Sequence, residues 1–304
     1  MVWCAPASSG SVQSRAWSRW RLSSTLVGSL PLIGFDSMKK ATFAAMRLHA
    51  EEVYPAESVG FVVSDPEGRE IYVRGQNVAD APEAGFVTRP DDWAAAEDMG
   101  AVVAFVHSHP DNPASPSEAD LVACEAMAER VGALPWYIVE VRKDIGQEAP
   151  QALAIEAFSP SGYQAPLLGR TFHHGVLDCY GVIRDFHARE MGIHLPDFER
   201  ADGWWEGEQE VYLDNFAAAG FRSLAAGETI QRGDVILMNH LAKRTNHGAV
   251  YLGDGTLSER PDLFPMQGTM LHHLYGRLST REVYGGYWQE ITRVVLRHKE
   301  LANG

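Results

Sequence analysis

The stretch from Ala101 to Asp120 constrains this chain more than any other. An apolar run, Ala101-Val102-Val103-Ala104-Phe105-Val106, leads straight into His107-Ser108-His109-Pro110. A run of that length and composition predicts a buried strand. Strand side chains alternate faces, so His107 and His109 project to the same side. Pro110 has no N–H to give a ladder, which ends the strand there with both imidazoles at its tip. A loop rich in Pro, Asn and Ser follows, and Ser117-Glu118-Ala119-Asp120 then opens a helical pattern through Arg130. Ser117 is a natural N-cap, which puts Asp120 in the first helical turn, facing back toward the loop. Two neutral imidazoles and one carboxylate, with a fourth position left to water, form the ligand set of a catalytic zinc.

The spacing His-x-His, seven residues, Ser, two residues, Asp resembles the JAMM metalloproteases of the Mov34/MPN superfamily. That family also has a glutamate upstream, at the edge of a strand, as general base. Glu57, in Tyr54-Pro55-Ala56-Glu57-Ser58-Val59-Gly60, stands where the resemblance requires it. The resemblance implies that His107, His109 and Asp120 bind one Zn2+, that Glu57 takes a proton from bound water, and that Ser117 hydrogen-bonds the oxyanion. Zinc lowers the pKa of its water to about 7, where a nearby carboxylate can act as base. The alternative is a pair of structural histidines beside an ordinary capped helix. A bare His-x-His favours that alternative; the complete spacing with the upstream Glu favours the metal.

At 304 residues the chain can hold two domains, each with its own core. Its net charge of −14, with no basic block to neutralise phosphates, argues against nucleic acid as a main partner. Three cysteines, Cys4, Cys124 and Cys179, are too few and too scattered for a disulfide framework. No apolar run is long enough to span a bilayer. Residues 1–37 carry arginines, tryptophans and serines with no acid before Asp36, and they read as a disordered tail or an over-extended start. A secretory signal is the weaker reading, since no small-x-small cleavage pattern follows and Pro31 interrupts the apolar run.

From Met38 an amphipathic helix is expected through Val53, then strands at 58–64 and 70–74 around an Asp65-Pro66-Glu67-Gly68 turn. Asp91 or Asp92 should cap a short helix ending at Gly100. Further strands are expected at 136–141 and 152–158, with Cys124 buried as a small apolar residue. The segments 144–150 and 159–166, rich in Gly, Pro and Ser, read as linkers. The expected division is residues 38–158 as one mixed α/β domain and 159–304 as a second.

The second domain carries different chemistry. Asp178-Cys179-Tyr180-Gly181 opens a helix running to Met191, so Cys179 sits at a helix N-terminus, where the dipole favours a thiolate. Strands are expected at Val235–Met238, from Asn246-His247-Gly248-Ala249-Val250-Tyr251-Leu252, and over Met270-Leu271-His272-His273-Leu274, with an edge strand at Ile291–Arg297. A cysteine on a helix with histidines on adjacent strands is the nucleophile–base–orienter arrangement of a papain-like thiol hydrolase. Trp204-Trp205 and the Tyr284–Trp288 run read either as a ligand-binding wall or as packing. Glu206, Glu208 and Glu210 read as a solvated face.

These residues resemble the NlpC-type cell-wall peptidases. The resemblance implies Cys179 as nucleophile, His247 as general base, and His272 or its neighbour His273 as the residue that orients the base. The order of the two domains is similar to that of the tail tip assembly proteins of lambda-like siphophages. It implies an α+β protein with a JAMM-like domain followed by an NlpC-type domain. The implied partners are phage tail tip proteins, a ubiquitin-like tail assembly protein and bacterial peptidoglycan. The implied places of action are the host cytoplasm during assembly, the virion tail, and the periplasm at infection. The rival readings are a structural tail assembly factor without catalysis and a host cell-wall remodelling enzyme.

Overall fold

The computed structural model describes residues 38–301 apart from 199, 201 and 202. The expected tail or late start over residues 1–37 lies outside them. Contacts divide the described residues into two compact units, one of 38–114 with 136–157 and one of 115–135 with 158–301.

The first unit comprises α1 (Lys40–Val53), β1 (Val59–Ser64), β2 (Glu70–Gly75), α2 (Pro90–Met99), β3 (Ala101–Pro110), β4 (Trp136–Arg142) and β5 (Gln151–Phe158). Its sheet has the order β2-β1-β3-β4-β5, with β1 antiparallel to β2 and β3, and β3 parallel to β4. Alternation along β3 builds two layers. Ala104 and Val106 join Val62, Val139, Met46 and Ala50 in a buried cluster under α1. On the opposite face, Phe105 meets Phe61, Phe86 and Trp136 in close ring contacts, and His107 continues that row. The larger of these side chains, Met46, Phe61, Val62, Phe105, Val106 and Val139, are fully buried and each contributes about 1.5–3 kcal/mol by leaving water, so the histidines extend from a packed core. The helix α2 starts earlier than an Asp91 or Asp92 cap would place it. Arg89 is the N-cap, Pro90 takes the first helical position, and Asp92 in the first turn accepts the Gln76 N–H at 2.8 Å. Proline's fixed φ and missing N–H suit that first position.

The second unit comprises α3 (Glu118–Val131), α4 (Cys179–Met191), a 3-10 turn (Trp204–Glu206), α5 (Val211–Asn215), β6 (Phe221–Ser223), β7 (Val235–Met238), β8 (His247–Gly253), β9 (Thr269–His272), β10 (Thr280–Val283), α6 (Tyr287–Glu290) and β11 (Thr292–His298). The helix α3 belongs here through its contacts. Glu118 accepts from Thr171 N–H and Oγ1, Glu125 from the N–H groups of Ser161, Gly162 and Tyr163, and Ala119 packs with Ala165 and Leu177. The sheet order is β10-β9-β8-β7-β11-β6, with antiparallel pairing between neighbours. The C-terminal strand is therefore interior and not the expected edge: it pairs with β7 on one side and β6 on the other. The three-residue β6 carries no strong period-two pattern, and it closes that side of the sheet. The helix α4 lies on the sheet through Val182, Ile183 and Phe186, which pack with Leu237, Val250, Leu252 and Leu271. The fold is α+β, as expected. Among the described residues no helix is long and apolar enough to cross a membrane.

Candidate active sites

The helix α4 begins as its sequence dictates. The Asp178 carboxylate caps it, accepting the Gly181 N–H at 2.8 Å and the Gly175 N–H at 3.1 Å. Gly181 must be glycine, because a Cβ there would sit 2.7 Å from the Val176 carbonyl oxygen. Gly248, which follows the site histidine, lets the Ile183 side chain of α4 approach β8 closely, since a Cβ would lie 2.8 Å from Ile183 Cδ1 and make that side chain turn aside. Gly181 thus lets the loop before α4 close onto the helix start, and Gly248 lets α4 and β8 approach.

Cys179 is the first residue of α4 and is 8 % exposed. Tyr212 Oη on α5 lies 2.9 Å from its Sγ. The helix terminus is not the only influence on this sulfur. Burial, then the neighbouring Asp178 carboxylate, push the thiol up to about 11, against opposing help from Tyr212, the Gly248 N–H and Arg200. The helix terminus alone does not overcome the loss of water around the sulfur.

His247 opens β8 and its Nε2 lies 3.0 Å from Nδ1 of His272, the last residue of β9. Burial holds His247 well below the usual imidazole range. Alternation along β9 gives His272 and His273 different surroundings: His272 meets His247, and His273 borders the cavity that Cys179 and His247 line. Met270 and His272 share the face of Trp288, whose ring is 4.8 Å from that of His272, while Leu271 packs under α4. His273 lies just past the strand, with Nε2 3.0 Å from the Arg277 carbonyl and its ring against Phe172. Cys179 and His247 line one cavity of about 260 Å³ together with Phe172, His174, Tyr212 and Tyr275. Trp204 also borders it, whereas Trp288 packs against His247 and His272. The side chain of Trp205 lies outside what is described. Glu206 and Glu208 are exposed, while the half-buried Glu210 accepts the Thr245 N–H at 3.0 Å and faces Arg244.

Sequence reasoning missed Tyr212 and Arg200. Neither belongs to a local motif, since both approach the cysteine from the long connection between α4 and β6. Arg200 is 3 % exposed and donates to Asp178 at 2.7 Å, to the Phe198 carbonyl at 2.6 Å and to the Gly175 carbonyl at 3.3 Å.

The other group of candidate residues is His107 and His109, at the end of β3, and Asp120, in the first turn of α3. The two Nε2 atoms are 3.1 Å apart. Tetrahedral zinc with Zn–N near 2.0–2.1 Å separates two nitrogen ligands by roughly 3.3 Å, so the spacing suits that ion. His109 donates from Nδ1 to the Pro113 carbonyl at 2.8 Å, which leaves Nε2 as the acceptor nitrogen. Asp120 closes a capping box with Ser117: the Ser117 N–H and Oγ–H both donate to Asp120 Oδ2, and the Asp120 N–H donates to Ser117 Oγ. Glu57 lies just before β1. The Ser108 N–H donates to the Ser58 carbonyl and Val59 pairs with His107, so Glu57 stands across from His109 and on the same face. Cys124 is buried in α3, with its thiol pushed up to about 12 by burial.

Comparison with known proteins defines the class. Residues 39–153 match the family of prokaryotic homologs of the JAB domain, and residues 169–297 match the NlpC/P60 family. The chain is 36 % identical to tail tip assembly protein K of Escherichia phage N15, over 87 % of this chain and 97 % of that protein. It is 37 % identical to tail tip assembly protein K of Escherichia phage lambda, over 69 % of this chain and 88 % of that protein. A protein from Salinibacter ruber with a solution structure is 25 % identical over 39 % of this chain and 78 % of its own, at a TM-score of 0.27. The class is therefore a JAB-like domain followed by an NlpC/P60 domain. The chain belongs to the tail tip assembly protein K family of lambda-like phages.

Proposed function

We propose that this chain acts in phage tail tip assembly and carries two independent peptidase sites. The observation that carries the thiol site is the meeting of Cys179 and His247 in one cavity, with His272 bonded to the far nitrogen of His247. His247 Nδ1 takes the proton of the Cys179 thiol, and Sγ attacks the carbonyl carbon of a peptide bond. Collapse of the tetrahedral adduct breaks the C–N bond, and the departing amine receives the proton from His247. Water then hydrolyses the thioester, with His247 again as base. Burial disfavours the charged form of both partners, so in this reading proton transfer accompanies substrate binding. The substrate we assign is a peptidoglycan cross-bridge, cut at the γ-D-glutamyl to diamino acid bond when the tail crosses the periplasm and cell wall at infection.

The chemistry we assign to the JAB-like domain, residues 39–153, is the hydrolysis of an amide or isopeptide bond in a protein partner in the host cytoplasm, with a ubiquitin-like tail assembly protein as the assigned substrate. His107, His109 and Asp120 would hold Zn2+, which supplies Lewis acidity and an acidified water. Glu57, on the same face as the histidines, accepts the proton. Ser117 caps α3, and its hydroxyl, which donates to Asp120 Oδ2 in the free protein, would turn to an oxyanion when substrate is bound.

The test is release of soluble peptides from purified peptidoglycan under reducing conditions. Release by the wild type that persists with chelator and vanishes in Cys179→Ala supports the thiol assignment. No release from folded, zinc-loaded protein, together with tail formation complemented by Cys179→Ala and Glu57→Gln, would leave a structural assembly role.

A further inference from the structure

The histidine pair ends against a carboxylate that no motif marks. His272 Nδ1 is used by His247, and its other nitrogen, Nε2, is buried without a hydrogen-bond partner. The acid oxygen facing Nε2 is Oε1 of Glu282 on β10, at 3.7 Å. That separation is an ion-pair distance and not a hydrogen bond. Register explains the meeting: His272 pairs with Thr280 and Met270 with Glu282, so His272 and Glu282 are diagonal neighbours on one face. The Glu282 carboxylate is held in turn, because Trp288 Nε1–H donates to its Oε2 at 3.0 Å while the Trp288 ring stands edge-to-face on His272.

We infer that Glu282, braced by Trp288, is a positioning residue that sets the tautomers of the His247–His272 pair and supports the positive charge that forms on it. This inference rests on the cysteine-peptidase reading. A carboxylate beside Nε2 favours the His272 tautomer with the proton on Nε2. Its Nδ1 then has a lone pair and accepts from His247 Nε2–H, which leaves the lone pair of His247 on Nδ1, ready for the Cys179 proton. When that proton arrives the pair becomes cationic, and the carboxylate faces it across 3.7 Å. The other titratable groups facing the pair are His240, whose ring is 6.0 Å from that of His247, and His273, both of which disfavour added positive charge. Glu282 is the acid that counters them: burial lowers His272, and Glu282 pushes it back up.

The test reads the thiol directly, without substrate. The pH dependence of Cys179 alkylation by iodoacetamide is followed by mass spectrometry of the Cys179 peptide in the full-length wild type, Glu282→Gln, Glu282→Asp, Trp288→Phe and His272→Ala. Glu282→Gln keeps the shape but removes the charge. Its alkylation profile is expected to move to higher pH by about one unit, the low end for an opposite charge at this distance because Glu282 is partly exposed. Glu282→Asp should recover part of the shift, and Trp288→Phe, which keeps the carboxylate but frees it, should move the profile the same way by less. On peptidoglycan, Glu282→Gln should lower kcat with little change in KM. A Glu282→Gln profile that coincides with the wild type while His272→Ala is displaced would overturn the role of Glu282 and leave the peptidase reading intact. A wild-type profile unchanged by His272→Ala would overturn both.

Discussion

Replacing Arg200 with methionine strands the carboxylate of Asp178, and the consequence can be worked from the burial of both groups. Asp178 is 2 % exposed and Arg200 3 %, with Nε 2.7 Å from Oδ2. Burial alone pushes the Asp178 carboxyl up, but Arg200 and the capping Gly181 N–H more than reverse this and hold it below the usual range. Methionine fills much of the arginine's volume, so the loss is mainly one of charge and hydrogen bonds. Removing one partner of a buried pair costs about 3–5 kcal/mol, or at least ~10²-fold in the folding equilibrium. The pH dependence has a definite sign. A carboxyl depressed in the folded state contributes stability above its unfolded value, lost as pH falls through the folded one. In the variant the folded value is raised instead, so the deficit is largest at neutral pH and shrinks as acid protonates Asp178. Urea denaturation read by hydrogen exchange on α4 at pH 7 and pH 4 measures both terms. A deficit under about 1 kcal/mol at pH 7, or one that is equal at the two pH values, would refute the argument. The double variant with Asp178→Asn should recover part of the loss, since the stranded charge is gone.

Tyr212→Phe removes the hydroxyl beside Sγ, so alkylation of Cys179 should become slower at any pH below the thiol's own value, with folding little changed. Gly181→Ala forces a Cβ to within 2.7 Å of the Val176 carbonyl and should cost about 1–3 kcal/mol in urea denaturation, as overpacking does. Ser117→Ala opens the capping box and should cost about 1 kcal/mol, read as faster hydrogen exchange across α3. His109→Ala and Asp120→Asn should each reduce bound zinc measured by elemental analysis after dialysis, whereas Cys179→Ala should leave it unchanged; equal zinc in all three would remove the metal assignment.

Much of this protein is readable from local pattern because local physics decides it. The apolar run and Pro110 determine where β3 ends, alternation puts His107 and His109 on one face, and Ser117 with Asp120 determines how α3 starts. Asp178 and Gly181 likewise determine the start of α4. Each of these features depends on neighbours a few residues away, so the sequence by itself carried them. The tertiary structure alone decided the rest. The C-terminal strand became interior because β6, too short to show a pattern, pairs outside it. The Cys179 thiol is pushed up because packing removed the water around it, against the pull of its helix terminus. His272 was separated from His273 by which face of β9 meets Trp288, and Tyr212, Arg200 and Glu282 reached the site from distant segments. Burial and long-range pairing are sums over the whole fold, and no single stretch of sequence contains them.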